Sequence, residues 1–130
     1  CFAGEPAWGG RHVVAVESDR VPAADLAANL ERYAGAAEAH ALPVETFLRT
    51  RHDEFGAVIV DPPRAGLSAD TRAALIHLLP RRMVYVSCDP VTLARDVKEF
   101  VGAGYSLTHL EAMDLFPNTP HVESIAVLTA

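Results

Sequence analysis

The sequence has few cysteines, no long apolar run and no cluster of basic residues. Its two cysteines, Cys1 and Cys88, are too few for a disulfide framework and are typical of a reducing, cytoplasmic compartment. No apolar stretch approaches the roughly 18 residues that span a membrane, and no signal peptide opens the chain. These absences exclude a disulfide-stabilised secreted module and predict a protein without a membrane partner.

The charge balance is acidic, with 11 Lys and Arg against 17 Asp and Glu, for a net charge of −6. Phosphate affinity needs clustered Lys and Arg, so composition argues against a general nucleic-acid binder. Any such contact would be local or would come from chain outside this sequence. Half of the residues are apolar and 22% are charged, as in globular proteins. At 130 residues we expect a single domain over 1–130.

Short apolar runs alternate with helical patterns along the chain. Strands are predicted at 13–16, 43–47 (weakly), 57–60, 83–87, 105–111 and 122–128, with a helical turn at 48–54. Three helices are predicted. The first has an apolar face made of Ala23, Leu26, Ala27, Leu30 and Tyr33. The second follows a Ser68 cap, with Leu75, Ile76 and Leu79 facing inward, and the third begins at Pro90, with Leu93, Val97 and Val101 buried. This alternation predicts an α/β fold with a mostly parallel sheet and an antiparallel C-terminal hairpin.

Two acids follow predicted strands, at the edge of the sheet where α/β proteins bind ligands. Glu17 could accept hydrogen bonds from two ribose hydroxyls, or could simply be an acid favoured near a helix start. Asp61 precedes Pro62 and Pro63, which end the strand ladder and hold the backbone extended. A ligand contact is favoured for Asp61 over a rigid turn with an incidental acid.

Cys88 follows the strand at 83–87, directly before a predicted helix. Asp89 is suited to the N-cap and Pro90 to the first helical position, so the thiol lies at the positive end of a helix dipole. That position favours the nucleophilic thiolate, although the adjacent Asp89 opposes ionisation. A small buried side chain that ends a strand is an equally good interpretation.

Glu123 opens the last predicted strand and could serve as a general base, although an exposed acid at a strand edge is the alternative on its own. His121 lies two positions earlier, and the sequence likewise does not decide its role. The other histidines lack zinc-ligand spacing and have no cysteine pair beside them. The sequence therefore predicts no metal site.

Taken together, the motifs VESD, DPPRAGL, VYVSCDPVTLARD, GY and DLFPNTPHVES resemble the RNA uracil-5-methyltransferase family in their order along the chain. The resemblance runs from about His12 to the C-terminus. It implies a Rossmann-like class I methyltransferase sheet and the cofactor S-adenosyl-L-methionine. The implied function is methyl transfer to C5 of a uracil in tRNA or rRNA through a covalent cysteine adduct.

The resemblance also implies roles for four residues. Cys88 corresponds to the catalytic nucleophile, Glu123 to the general base, Asp61 to a residue lining the cofactor and substrate pocket, and Glu17 to the acid that holds the cofactor ribose. Thiolate addition at C6 would make the uracil C5 nucleophilic, and a base would then remove the C5 proton. Phe116 and Tyr85 are candidate stacking groups, with core packing favoured for Tyr85.

The chain departs from the family pattern at its start. Family members usually carry a strand and an acid-x-x-x-Gly-x-Gly loop ahead of VESD, whereas this chain opens with CFAGEPAWGG. Asn118 also stands where a histidine is common. We therefore expect a partial catalytic domain that binds cofactor weakly or not at all alone, which calorimetry can check. The alternatives are an amino-group methyltransferase of nucleic acid, which needs no thiol, and a non-catalytic remnant of the fold.

Overall fold

The computed structural model describes residues 12–33, 35–51, 54–115, 117 and 122–130. The chain divides into two compact units, Cys1–Arg51 and His52–Ala130. The expectation of one domain over 1–130 stays a prediction. Within the described residues, none of the helices has the length and apolar character needed to cross a membrane.

The first unit is a strand–helix–strand arrangement followed by a second helix. Strand β1 (Val13–Glu17) pairs in parallel with β2 (Ala37–Ala41), with Val13 opposite Ala37 and Glu17 opposite Ala41. Helix α1 (Arg20–Leu30) connects the two strands and continues into a 3-10 turn at Glu31–Tyr33. Helix α2 (Val44–Thr50) follows β2. The predicted strand at 13–16, its terminal Glu17 and the first helix are confirmed.

The predicted strand at 43–47 is wrong. Pro43 occupies the N-cap position of α2, and Phe47 is buried on that helix. The strand instead lies upstream, at Ala37–Ala41, where alanine alternates with Glu38 and His40. Alanine has low intrinsic preference for strands, so pairing with β1 decides the conformation of this segment.

The second unit contains a four-stranded sheet in the order β3-β4-β6-β5. Its elements are β3 (Ala57–Val60), α3 (Ala69–Leu78), β4 (Arg82–Ser87), α4 (Pro90–Gly102), β5 (Ser106–Met113) and β6 (Glu123–Thr129). Strands β3 and β4 are parallel, and β6 is antiparallel to both β4 and β5. Three of these strands therefore run in one direction, which confirms the mostly parallel sheet with an antiparallel C-terminal hairpin.

The core of the second unit covers one face of this sheet. Its buried apolar residues are Leu75, Met83, Tyr85, Leu93, Phe100, Tyr105, Ala126 and Leu128. Alternate residues of β4 and β6 contribute to this core, because successive strand side chains point to opposite faces. The other face therefore carries the remaining positions, to which Glu123 belongs.

Three residues expected to face inward are exposed, of which Ala27 lies on α1 of the first unit. Leu79 ends α3 in the left-handed conformation, with φ of 50°, and its side chain turns outward while Pro80 is buried. Val101 is also exposed, since the buried side of α4 runs through Leu93, Asp96 and Phe100. The buried side of the helix thus includes an acid that the predicted face of Leu93, Val97 and Val101 left out.

Candidate functional site

The turn that carries Cys88 is fixed by the side chains on either side of it. Ser87 is buried, and its hydroxyl donates to the carbonyl of Asp89 at 2.9 Å and accepts from the amide of Asp89 at 3.1 Å. Cys88 itself is a partly buried free thiol. The residue is therefore not among the fully buried residues of the core.

Asp89 caps helix α4, as the sequence predicts. Its Oδ1 accepts hydrogen bonds from the amides of Val91 at 2.9 Å and Thr92 at 3.0 Å. Hydrogen bonding from the Thr92 amide lowers the pKa of the Asp89 carboxyl, with smaller contributions from the Val91 amide and from the positive charge of the nearby Arg64. The charge next to Cys88 is thus partly offset by helix amides and by a cation.

The loop after β3 begins at Asp61, which is exposed at the end of the strand. Pro62 and Pro63 follow, and the amide of Gly66 donates to the Pro63 carbonyl at 2.8 Å. This bond closes a turn within the loop. The loop then leads to Ser68, whose hydroxyl caps α3 by accepting from the Thr71 amide.

Asp96 of α4 is fully buried and joins four elements. Its carboxylate accepts from the Tyr85 hydroxyl at 2.7 Å and from the Leu67 amide at 2.8 Å. It also forms ion pairs with Arg72 of α3 at 3.2 Å and with Arg95 at 2.7 Å. Sequence reasoning assigned Asp96 no role, although its position three residues after the apolar Leu93 placed it on the buried side of the helix.

The stacking role considered for Tyr85 is wrong, because its ring is fully buried and its hydroxyl donates to Asp96. Core packing, the favoured interpretation, is confirmed. Burial, reinforced by this hydrogen bond to a carboxylate, raises the pKa of the Tyr85 phenol. The hydroxyl therefore remains a proton donor to Asp96 throughout the physiological range.

The register of the sheet brings Cys88 and Glu123 to the same end of adjacent strands. Ser87 pairs with Ser124, so Cys88 directly follows one partner and Glu123 directly precedes the other. Adjacent strands lie about 4.8 Å apart. Glu123 is partly buried and opens β6, which lies inside the sheet between β4 and β5, so it is not an exposed acid on an edge strand.

Asp61 shares this end of the sheet. Val60 pairs with Tyr85 in the parallel β3–β4 register, so Asp61 leaves β3 at the same end at which Cys88 leaves β4. By strand alternation Asp61 is in phase with the exposed Ile59, on the face opposite the core. Three predicted site residues, Asp61, Cys88 and Glu123, are thereby gathered at one end of a single sheet.

Glu17 belongs to the first unit, where it ends β1 and is partly buried. Its Oε1 accepts from the amide of Asp19 at 2.9 Å, at the start of α1. Its position relative to the other three site residues stays a prediction. Phe116, Asn118, His121 and the opening segment 1–11 lie outside the described residues.

No metal centre is found in the part of the chain that the structure describes, where no three His, Cys, Asp or Glu side chains are grouped as ligands. The groups that meet at the shared end of the sheet are the thiol of Cys88 and the carboxylates of Asp61 and Glu123. These groups suit nucleophilic addition and proton removal.

Residues 42–130 match the model of the tRNA (uracil-5-)-methyltransferase family. The chain belongs to this family. The matched span includes Asp61, Cys88 and Glu123, which the sheet gathers at one end, and it begins after Glu17.

Three relatives illustrate the match. An uncharacterized RNA methyltransferase of Thermotoga maritima is 36% identical over 98% of this chain, and one of Gloeobacter violaceus is 51% identical over 55% of it. The crystal structure of Pyrococcus abyssi tRNA (uracil-54, C5)-methyltransferase in complex with S-adenosyl-L-homocysteine superposes with a TM-score of 0.76 and 36% identity over 91% of this chain. The fold is thus that of a class I methyltransferase, as predicted.

The chain is much shorter than these family members. It spans 29% of the Thermotoga relative, 16% of the Gloeobacter relative and 28% of the Pyrococcus chain. The similarity therefore shows the family and the fold of this chain. The activity of the longer family members is not assigned to it on that basis.

Proposed function

We propose that this chain contributes the catalytic centre of an RNA methyltransferase that transfers a methyl group from S-adenosyl-L-methionine to C5 of a uracil in tRNA or rRNA. Support comes from the family, and from the Pyrococcus structure, whose enzyme modifies uracil-54 of tRNA and holds S-adenosyl-L-homocysteine. The observation that carries the proposal is the shared strand end of Cys88 and Glu123, with Asp61 on the neighbouring strand.

Cys88 would act first, as the nucleophile. Its thiolate adds to C6 of the uracil, forming a C6–S bond, and the electrons of the C5–C6 double bond move toward C5 and O4. C5 thereby becomes nucleophilic enough to take a methyl group. S-Adenosyl-L-methionine supplies that methyl as an electrophilic group on a sulfonium.

Glu123 would complete the reaction as the general base. After methyl transfer C5 carries both a proton and the new methyl group. Glu123 takes the proton, the electrons of the C5–H bond restore the C5–C6 double bond, and the Cys88 thiolate leaves from C6. A thiol and a carboxylate on neighbouring strands suit a uracil that has been flipped out of the RNA base stack to lie between them.

The residues present fit a bound nucleoside cofactor. Glu17 ends a parallel strand, where a carboxylate can accept from ribose hydroxyls. A carboxylate offers about four acceptor positions, of which the Asp19 amide uses one. Asp61 leaves β3 on a proline-stiffened backbone and would line the cofactor and substrate pocket.

Substitution of Cys88 tests the nucleophile. In the protein produced from its natural gene, we expect Cys88→Ser to lose methyl transfer from labelled cofactor to tRNA or rRNA, and to lose the covalent adduct with 5-fluorouracil RNA. The matched control is Cys1→Ser, which should keep both. Turnover by Cys88→Ser would contradict the mechanism and favour amino-group methylation, which needs no thiol.

Substitution of Glu123 tests the base. Glu123→Gln cannot accept the C5 proton, so we expect turnover to fall by about 100-fold or more and a methylated covalent adduct to accumulate on ordinary uracil RNA. Gel electrophoresis under denaturing conditions detects this adduct. Glu111→Gln, an exposed acid on β5, is the control and should show no accumulation. Normal turnover by Glu123→Gln would remove the assigned role.

A further inference from the structure

The loop between β3 and α3 is held by one face of α4. The Thr92 hydroxyl donates to the carbonyl of Arg64 at 3.0 Å, and the Arg95 guanidinium donates to the carbonyl of Ala65 at 3.0 Å and to that of Leu67 at 3.3 Å. The Leu67 amide in turn donates to Asp96. Backbone groups of three loop residues are thus bound by three side chains of α4.

Gly66 shows how closely the loop approaches this helix. A Cβ at this position would lie 2.6 Å from the Arg95 guanidinium and 2.7 Å from the Asp96 carboxylate, and only 3.2 Å from Thr92. The residue also has φ of 76°, which side chains rarely adopt. Glycine is therefore required for the loop to rest on Arg95 and Asp96.

Helix α4 is joined to both predicted catalytic strand ends. Cys88 lies two residues before its first helical residue, Pro90, and Asp61 begins the loop that its side chains bind. We propose that Arg95 and Asp96 are positioning residues that fix Asp61 relative to Cys88 through the backbone of residues 64–67. This inference rests on the proposed function and assigns a role to two residues that do not contact the reacting atoms.

Substitution of Arg95 can separate an effect on the position of the loop from an effect on folding. Its side chain is 49% exposed, so water can partly replace the guanidinium, and Asp96 keeps Arg72, the Leu67 amide and the Tyr85 hydroxyl as donors. Its hydrogen bonds go to the loop carbonyls and to Asp96. Since a displacement of about 1 Å at a reacting site can lower the rate by about 100-fold, loss of Arg95 should affect turnover more than folding.

The experiment compares Arg95→Gln with Arg82→Gln in the protein produced from its natural gene. Both changes remove one arginine charge, and Arg82 is exposed at the opposite end of β4. We expect Arg95→Gln to lower kcat by tenfold or more, with little change in KM for RNA or in thermal midpoint. Arg95→Lys should recover part of kcat, because one ammonium can still donate to a loop carbonyl.

Hydrogen exchange of the Leu67 amide gives a readout that does not depend on activity. We expect faster exchange in Arg95→Gln and unchanged exchange in Arg82→Gln. Unchanged kcat or unchanged Leu67 exchange in Arg95→Gln would overturn the positioning role. If the wild-type protein does not methylate uracil but Leu67 exchange responds as expected, the proposed function fails and the anchoring of the loop stands.

Gly66→Ala is the second variant, for use if Arg95→Gln fails to fold. It keeps the sequence of α4 unchanged and disrupts the contact between the loop and the helix, because the added methyl group meets Arg95 and Asp96 and the φ of 76° disfavours alanine. We expect the same fall in kcat and the same faster exchange at Leu67. Full activity in a folded Gly66→Ala protein would equally overturn the inference.

Discussion

Two carboxylates of this chain each meet several basic side chains, one in the core and one at the surface. Asp96 in the second unit is fully buried, with Arg72 and Arg95 within 3.2 Å. Glu38 in the first unit is 37% exposed. Its Oε1 lies 2.8 Å from the Arg51 guanidinium, 3.4 Å from the His40 ring nitrogen and 3.7 Å from the His12 ring nitrogen.

The two clusters differ in whether water can replace the protein groups that bind the carboxylate. A carboxylate without water must be satisfied by protein donors, because an unpaired buried charge is costly. Asp96 therefore needs the Leu67 amide and the Tyr85 hydroxyl as well as its arginines, and it determines where a loop, a strand and two helices meet. Glu38 can exchange its partners for water, so its ion pairs follow the fold without determining it.

The largest effect is expected for Asp96→Asn. Asparagine has one acceptor oxygen for the several donors that meet at this position, and its amide group would face other donors. We expect the free energy of unfolding to fall by about 3 to 5 kcal/mol, as for other broken buried ion pairs. Urea denaturation measures this.

Glu99→Gln is the matched control, since Glu99 is the other acidic partner of Arg72 and is 43% exposed. It should cost no more than about 1 kcal/mol. Equal losses for Asp96→Asn and Glu99→Gln would mean that burial does not separate the two kinds of carboxylate.

A smaller effect is expected for Tyr85→Phe, which removes one donor and leaves the ring. Loss of a hydrogen bond to a charged group should lower the free energy of unfolding by about 2 kcal/mol. Tyr105→Phe is the control, because its hydroxyl donates to the neutral carbonyl of Pro80 and should cost about 1 kcal/mol. A smaller loss for Tyr85→Phe than for Tyr105→Phe would show that Asp96 does not depend on this donor.

The pH dependence of Tyr85→Phe has a definite sign. The folded-state pKa of Tyr85 is raised above the ordinary value of 10.0, so its contribution is present below pH 10 and is lost as the pH rises beyond it. The difference between wild type and Tyr85→Phe should therefore shrink above pH 10. Denaturation curves at pH 8 and at pH 10.5 measure this, and a difference that stays constant would contradict it.

The parts of the fold that local sequence determines were predictable. Strand β4 is β-branched and aromatic, Asp89 and Ser68 are typical caps, and both cap side chains accept amide hydrogens as expected. The gathering of Asp61 and Cys88 was also predictable, because parallel strands place their carboxyl ends at one edge.

The remainder depends on contacts between distant segments. Strand β2 has weak strand preference and forms because β1 pairs with it. The Asp96 network joins Leu67 to a residue 29 positions later, and the donors to its carboxylate come from separate elements. No local pattern specifies which donor a buried acid will meet, so its role had to come from the structure.

Asp89 lies between the two extremes, because it is partly exposed and bound by backbone amides. Asp89→Ala removes the cap of α4 and should lower the thermal midpoint by less than Asp96→Asn, whereas Asp89→Asn, which keeps an acceptor, should lower it less still. The pKa of Asp89 is lowered from 3.8, so its contribution is present above that pH and is lost as the pH falls below it. Thermal scans at pH 7 and pH 3 should show a smaller loss of thermal midpoint for Asp89→Ala, relative to wild type, at the lower pH.

The smallest effect is expected for Glu38→Gln, although Glu38 has more basic side chains beside it than Asp96. Hydrogen bonding from His40 and from Arg51 lowers the pKa of Glu38 below 4.5, so its contribution is present above that pH and is lost on acidification. We expect little change in the thermal midpoint at pH 7, and none in 1 M salt, where the Debye length is about 3 Å. A salt-resistant loss as large as that of Asp96→Asn would mean that the number of basic partners, and not burial, decides which carboxylate organises its surroundings.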